Sequence, residues 1–243
     1  MSIMKHDGIS HHPLGAGSYY FKDNFLEYLE TLGQPGRPVT KIFVGAQPNS
    51  SPHIGNIMNI CVAFALAKAL IDRGIKASIS MDLVDTAPAP EHDLVQDGIL
   101  YQRSLRFTKY SGEFESDFAG LIERLHELSG IEFEIRKQTD IMAGPTIKRI
   151  LHDIIIIKRH DELGPILEPG YKQLGLRSAC PIQECGLADK HGLTNKYGDN
   201  SITFTCPIHG FYSVSLLDDD GVRALELTTP LRSFVRTLVF NED

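Results

Sequence analysis

Residues 41–56 read KIFVGAQPNSSPHIGN, and the change of character along them decides the fold. Ile42, Phe43 and Val44 make a short apolar strand that stops at Gly45. Small, polar and proline residues follow from Ala46 to Pro52. His53, Ile54, Gly55 and Asn56 then open a segment whose apolar residues recur at helical spacing, at Ile57, Ile60, Ala63, Phe64, Ala67 and Leu70. A strand, a tight loop and a helix N-terminus bring unbonded N–H groups and a positive dipole end beside the His53 imidazole. Such a place suits a phosphate or a ribose.

Downstream, IKASISM (75–81) alternates as a second strand. A strand–helix–strand unit of this length crosses over right-handedly and leaves its strands parallel. Ligands of such sheets sit beyond the C-terminal strand ends, which puts Gln47–Asn56 and Asp82–Asp85 on one rim. Asp82 and Asp85 are then either solvated turn residues and helix caps or a carboxylate pair for a cationic group. Thr86–Pro90 reads as a proline-broken loop, and 93–108 as irregular or partly helical. Phe114–Ser129 is amphipathic at helical spacing and closed by Gly130; Ile131–Ile135 alternates as a third strand; Pro145 opens a helix to Arg159. Before the opening strand, residues 1–18 read as a flexible arm and Tyr19–Leu32 as an amphipathic helix. The alternation predicts an α/β fold with a doubly wound parallel sheet.

The 243 residues suffice for one core plus a small module. Apolar residues make up 42% and charged ones 23%, an ordinary globular balance, and the net charge of −7 argues against a surface coated for nucleic acid. No run approaches the roughly 18 apolar residues of a membrane span, and the N-terminus has no apolar leader core. A cytoplasmic location is therefore expected, with no membrane and no DNA as partner. Arg103, Arg106, Lys109, Lys148, Arg149, Lys158 and Arg159 would face solvent, a few of them lining a groove for an RNA end.

Two short-spaced pairs, Cys180-Pro-Ile-Gln-Glu-Cys185 and Cys206-Pro-Ile-His209, carry the second signal. With about twenty residues between them, and Gly and Pro beside the ligands, they have the pattern of two metal knuckles. Three thiolates and an imidazole would close a tetrahedral Zn²⁺ site with no open position, so the metal would be structural. Cys61, inside the first helix, reads as core. The ribbon would span 178–212. Phe211–Leu217 and Val222–Leu227 read as strands about the acidic turn Asp218–Gly221, Thr228-Thr229-Pro230 as a helix start, and Arg232 and Arg236 share a face of the last helix.

In this order the pieces resemble the catalytic domain of class I aminoacyl-tRNA synthetases, nearest to the class I lysyl-tRNA synthetase group. Pro48 and His53-Ile54-Gly55-Asn56 stand where that family has its HIGH signature, followed by an acidic loop at Asp82–Asp85 and a cysteine-rich ribbon. The resemblance covers about residues 40–240. It implies a Rossmann-like (HUP-type) domain over 19–177, the zinc ribbon as an insertion, and 213–243 completing the catalytic domain. It departs in two places. No Lys-Met-Ser-Lys-Ser-like loop follows, so the lysines that steady the phosphate in adenylate formation are missing. Ser50 also stands where the family carries glycine, with Ser51 beside it. A synthetase-like fold without adenylate chemistry needs a pre-activated substrate, and this is similar to cyclodipeptide synthases, among them a fungal group making arginine-containing products.

That likeness implies arginyl-tRNA and a second aminoacyl-tRNA as partners, with no ATP used. Ser50 or Ser51 would be the nucleophile, and His53, Asp85 or Glu226 would give general-base help. Gly45, Gln47, Asn49, Gly55 and Asn56 would hold the terminal adenosine, and Asp82 with Asp85 the guanidinium. An ATP-dependent amino-acid-activating ligase or truncated synthetase paralogue, and a non-catalytic tRNA-binding module, are the alternatives.

Overall fold

The structure, a computed structural model, describes residues 39–241 apart from 109, 111, 143, 153–156 and 183. The expected arm over 1–18, the helix over 19–32 and Lys109 lie outside the described residues. In chain order the elements are β1 (Thr40–Ala46), α1 (Ile54–Asp72), β2 (Ala77–Leu83), β3 (Pro88–Gln96), β4 (Ile99–Ser104), α2 (Glu115–Ser129) and β5 (Phe133–Lys137). Next come α3 (Gln138–Met142), α4 (Pro145–Arg149), α5 (Ile157–Leu167), β6 (Leu176–Ser178), β7 (Leu187–Asp189) and β8 (Lys196–Tyr197). The chain closes with β9 (Ser201–Cys206), β10 (Gly210–Ser215), α6 (Asp219–Ala224), β11 (Leu225–Leu227) and α7 (Thr229–Asn241).

The fold is mixed α/β, with a three-stranded parallel sheet of order β1-β2-β5. Three further sheets are built from antiparallel pairs: β3-β4-β7, β10-β9-β8 and β11-β6. By its contacts the chain divides into two compact units. The first takes the chain up to Val44, Ile54–Met81 and Gly120–Glu134. Its α1 buries Ile60, Ala63, Phe64, Ala67 and Leu70, the single apolar stripe of a helix lying on a core. This helix is also long and apolar enough to cross a membrane by length and composition, with a mean hydropathy of 1.8. Within the same unit Glu134 receives the Ser80 hydroxyl at 2.9 Å and the Lys41 ammonium at 3.0 Å.

The second unit holds Gly45–His53, Asp82–Ala119 and Ile135–Asp243. Its main cluster joins Met142, Ile147, Ile150 and Leu151 to Leu176, Leu225, Leu231 and Val235. Ile202 and Phe204 of β9 and Val214 of β10 belong to the same cluster. The ribbon strands therefore help build the main core of this unit.

Three sequence expectations change. Residues 88–104, read as loop and irregular chain, form the β3–β4 hairpin, turning at Asp97-Gly98, both at positive φ (52° and 77°). An Asp-Gly pair suits such a turn, but Pro88 and Pro90 mask the strand pattern before it. Val222–Ala224, read as strand, belong to α6, because the Asp218 carboxylate accepts the Gly221 N–H at 2.6 Å and caps a helix with Asp219 and Asp220 in its first turn. The strands expected at 75–81 and 131–135 run two residues later, at 77–83 and 133–137. That shift carries Asp82 into the end of β2, where it is buried.

Candidate functional site

The metal cluster forms as the spacing predicts. The ligand atoms of Cys180, Cys185, Cys206 and His209 all lie within 4.8 Å of one another. Cys185 Sγ and Cys206 Sγ are 3.6 Å apart, and His209 Nδ1 stands 3.5 Å from Cys180 Sγ and 3.6 Å from Cys206 Sγ. Gly186 and Gly210, one beyond each ligand pair, take positive φ (59° and 78°) and let the chain turn under the cluster. The N–H groups of Cys185 and Gly186 both donate to Ile182 O, which closes the first knuckle. The knuckle is tied to the hairpin by the β4–β7 ladder and by Ser104 N–H donating to Gly186 O at 3.1 Å. Burial pushes the Cys180 thiol up to about 12 and raises Cys185 as well, so thiolates here require a cation beside them. The Cys3His cluster can hold a metal ion. Cys61 is half-buried and outside it.

The loop after β1 brings one hydroxyl to a carboxylate. Ser51 Oγ donates to Asp117 Oδ2 at 2.6 Å, and both residues are exposed. Ser50 Oγ reaches only Ser51 O, at 3.3 Å. Asn49 anchors the loop by donating to Pro88 O at 3.2 Å, while Gln47 and His53 are exposed. Gly45 is exposed, and a Cβ there would make ordinary contact with Arg236 Nη1 at 3.7 Å. Gly55 and Asn56 open α1 in the other unit. Asp117 sits in the first turn of α2, where the dipole favours an anion, and that placement was the only sequence signal for it.

The acidic candidates are engaged within the chain. Asp82, 1% exposed, receives Arg136 Nε and Nη2 at 3.0 and 2.8 Å on Oδ1, and Arg236 Nη2 lies 3.0 Å from Oδ2. Its guanidinium sites are filled by the chain's own arginines, which corrects the reading of Asp82 as a substrate contact. Glu226, its side chain fully buried, is clamped between Arg106 and Arg177, each at 3.0 Å. Arg106 also donates to Arg223 O and Ala224 O, and Arg177 to Thr86 O. Glu226 has no access to a substrate and pins β11 instead, so neither a base nor a binding role fits it. Asp85 is half-buried and accepts the Thr139 N–H at 3.1 Å and its hydroxyl at 2.6 Å, which caps α3. Each of its oxygens keeps a second lone pair.

Gln47 and Arg232, together with residues the sequence does not single out, surround a cavity of about 200 Å³ in the second unit. Gln47, Thr86, Gln102, Arg177, Lys190 and Arg232 line it, together with His191 and the start of α7. His191 stacks on Tyr171 with centroids 3.7 Å apart. Burial, then the neighbouring Lys190 charge, lowers its pKa and keeps the ring neutral. Burial, followed by repulsion from Arg236, lowers Arg232 to about 10 against the pull of Asp82.

No protein-family model matches the chain, and no curated protein matches it.

Proposed function

We propose that the chain is a tRNA-dependent cyclodipeptide synthase of Rossmann-like architecture, joining an arginyl group to a second aminoacyl group. The observation that carries the reading is the Ser51–Asp117 pair, a hydroxyl donating at 2.6 Å to a carboxylate in the loop beyond strand β1. Ser51 Oγ attacks the ester carbonyl of arginyl-tRNA as Asp117 takes its proton. The ester bond to the tRNA breaks, and the proton goes to the departing ribose oxygen. The amine of the second aminoacyl-tRNA then displaces Ser51 and forms the first amide bond. The arginyl amine closes the ring on the remaining ester and releases the second tRNA. Two tRNA esters are consumed and two amides formed, so the balance needs no ATP.

Of the two serines, Ser51 is the nucleophile and Ser50 shapes the loop. Gln47, Asn49 and His53 belong to the same reading as contacts of the terminal adenosine. Asp85, half-buried with lone pairs to spare, is the remaining acidic contact for the guanidinium among those expected.

The metal of this reading is a structural Zn²⁺. Tetrahedral bonds of about 2.3 Å to sulfur and about 2.0 Å to nitrogen separate sulfurs by about 3.8 Å and sulfur from nitrogen by about 3.5 Å. The cluster's separations of 3.5 to 3.6 Å agree with that donor set. Cys180, Cys185, Cys206 and His209 would hold the ion and fasten the knuckles to the hairpin.

The test is the intact mass of the protein after exposure to arginyl-tRNA, with diketopiperazines sought in parallel by mass spectrometry. An arginyl adduct that persists in Ser50→Ala and disappears in Ser51→Ala supports the reading. Absence of both adduct and diketopiperazine with every aminoacyl-tRNA pool overturns it.

A further inference from the structure

The cavity that carries Arg232 has more positive charge than the chain's own carboxylates balance. Arg177, Lys190 and Arg232 line it, against Glu168 as the one carboxylate among its walls. Arg177, only 7% exposed, is committed to Glu226 and Thr86 O. Arg232 is different. Its hydrogen-bond acceptors are Leu227 O at 3.3 Å and Thr229 Oγ1 at 3.2 Å, both long and both neutral. Among the described residues it forms no ion pair. A half-buried guanidinium without an anion is costly, and that cost is relieved when an anion enters.

Two neutral groups point the same way. Gln102 is 9% exposed, and its Nε2 donates to Asp93 Oδ1 at 2.9 Å while its Oε1 has no partner. An acceptor left bare in a cavity wall calls for a ligand hydroxyl or N–H. Thr228 Oγ1 is likewise buried without a partner. α7, thirteen residues long, starts at this wall with Thr229; Pro230 has no N–H and that of Arg232 donates to Thr228 O at 2.8 Å, which leaves those of Thr229 and Leu231 without an acceptor within the helix. The helix adds its positive end to the two free-facing cations.

From this set we infer that the cavity binds the phosphate of a ribose phosphate, with a sugar hydroxyl given to Gln102 Oε1. A carboxylate would use two of the donors and leave the rest idle, whereas a phosphate monoester carries about −1.5 to −2 charges and three acceptor oxygens. The volume of about 200 Å³ lies below the roughly 300 Å³ at which drug-sized pockets begin. It has room for one phosphate and part of one sugar. The same chemistry is offered by a free nucleotide and by the 5′-phosphorylated end of an RNA strand. The inference needs only this cavity and stands whether or not Ser51 transfers an acyl group.

The experiment titrates the full chain with AMP and with inorganic phosphate at constant ionic strength, followed by calorimetry. Both bind, AMP the tighter. Arg232→Gln weakens AMP at least tenfold and Lys190→Gln at least threefold, and Gln102→Leu reduces the advantage of AMP over inorganic phosphate. Lys190 is partly exposed, so its variant keeps the fold, and Arg232→Gln should unfold no earlier than wild type without ligand because it removes an unpaired half-buried charge. Competition by a short RNA carrying a 5′-monophosphate assigns the phosphate to an RNA terminus, and lack of competition assigns it to a free nucleotide. No binding of AMP or phosphate at 10 mM, or binding that neither Arg232→Gln nor Lys190→Gln weakens, overturns the inference.

Discussion

Replacing Glu226 by glutamine separates a structural carboxylate from a substrate-binding one. The change keeps the side-chain volume and removes one charge from a position with no exposure, facing Arg106 and Arg177 at 3.0 Å each. Both guanidiniums stay, because Arg106 is also bonded to Arg223 O and Ala224 O, and Arg177 to Thr86 O. Neither can swing out to water without dropping those carbonyls. Breaking a buried ion pair from one side costs about 3–5 kcal/mol, and two cations are stranded here. Against a total stability of roughly 5–15 kcal/mol and a urea slope of about 3 kcal/mol per molar, the midpoint should fall by about 1–1.7 M. The chain has no tryptophan, so the transition is best followed by far-ultraviolet circular dichroism. Adding Arg106→Gln to Glu226→Gln should recover part of the loss, with a coupling energy above about 1 kcal/mol. A midpoint within about 0.3 M of wild type, with the two substitutions additive, would refute the clamp and return Glu226 to the list of substrate contacts.

Three further outcomes follow. Asp117→Asn should slow formation of the seryl adduct by about 10²-fold or more, as loss of a general base does, while leaving the urea midpoint unchanged because both partners are exposed; stopped-flow quench with arginyl-tRNA reads it. Elemental analysis should find one zinc per chain, and a strong chelator should remove it and lower the unfolding temperature, an effect absent in Cys206→Ser, which no longer retains metal. His191 has a pKa below its ordinary 6.5, so the native state binds fewer protons than the unfolded one, and stability is lost as pH falls through 6.5. His191→Gln should therefore lose less stability than wild type between pH 7.5 and 5.5, and parallel losses would remove this assignment.

The metal cluster was legible because its chemistry is local. Each ligand pair lies within a few residues, and Gly186 and Gly210 mark the turns beside them. The opening of the parallel sheet was legible for a similar reason, since β1, α1 and β2 are consecutive and their periodicities change at Gly45 and Gly74. The hairpin was not, because Pro88 and Pro90 look like breaks when the strand they sit on pairs irregularly between Pro88 and Asp93. Asp82 and Glu226 misled for a different reason. A carboxylate at a strand end reads the same whether it faces a ligand or an arginine from far along the chain, and Arg236 is 154 positions from Asp82 by the numbering. Only the folded structure shows which.

Asp82 and Glu226 also explain why Arg232 is exceptional. Arg232 and Arg236 sit four apart on α7, an arrangement that gives two like charges one helix face and costs energy unless each is answered. Asp82 answers Arg236, with Arg136 on its other oxygen. Glu226 answers Arg106 and Arg177. The four arginines thus engage Asp82 and Glu226 two to one, and Arg232 stands outside either clamp, repelled by Arg236 and Arg177. A positive charge kept in such a place, when glutamine would donate to the same Leu227 and Thr229 oxygens, has no structural use that the described residues reveal. Its use has to come from what enters the cavity, so Arg232→Gln should separate affinity from stability, losing the first while keeping the second.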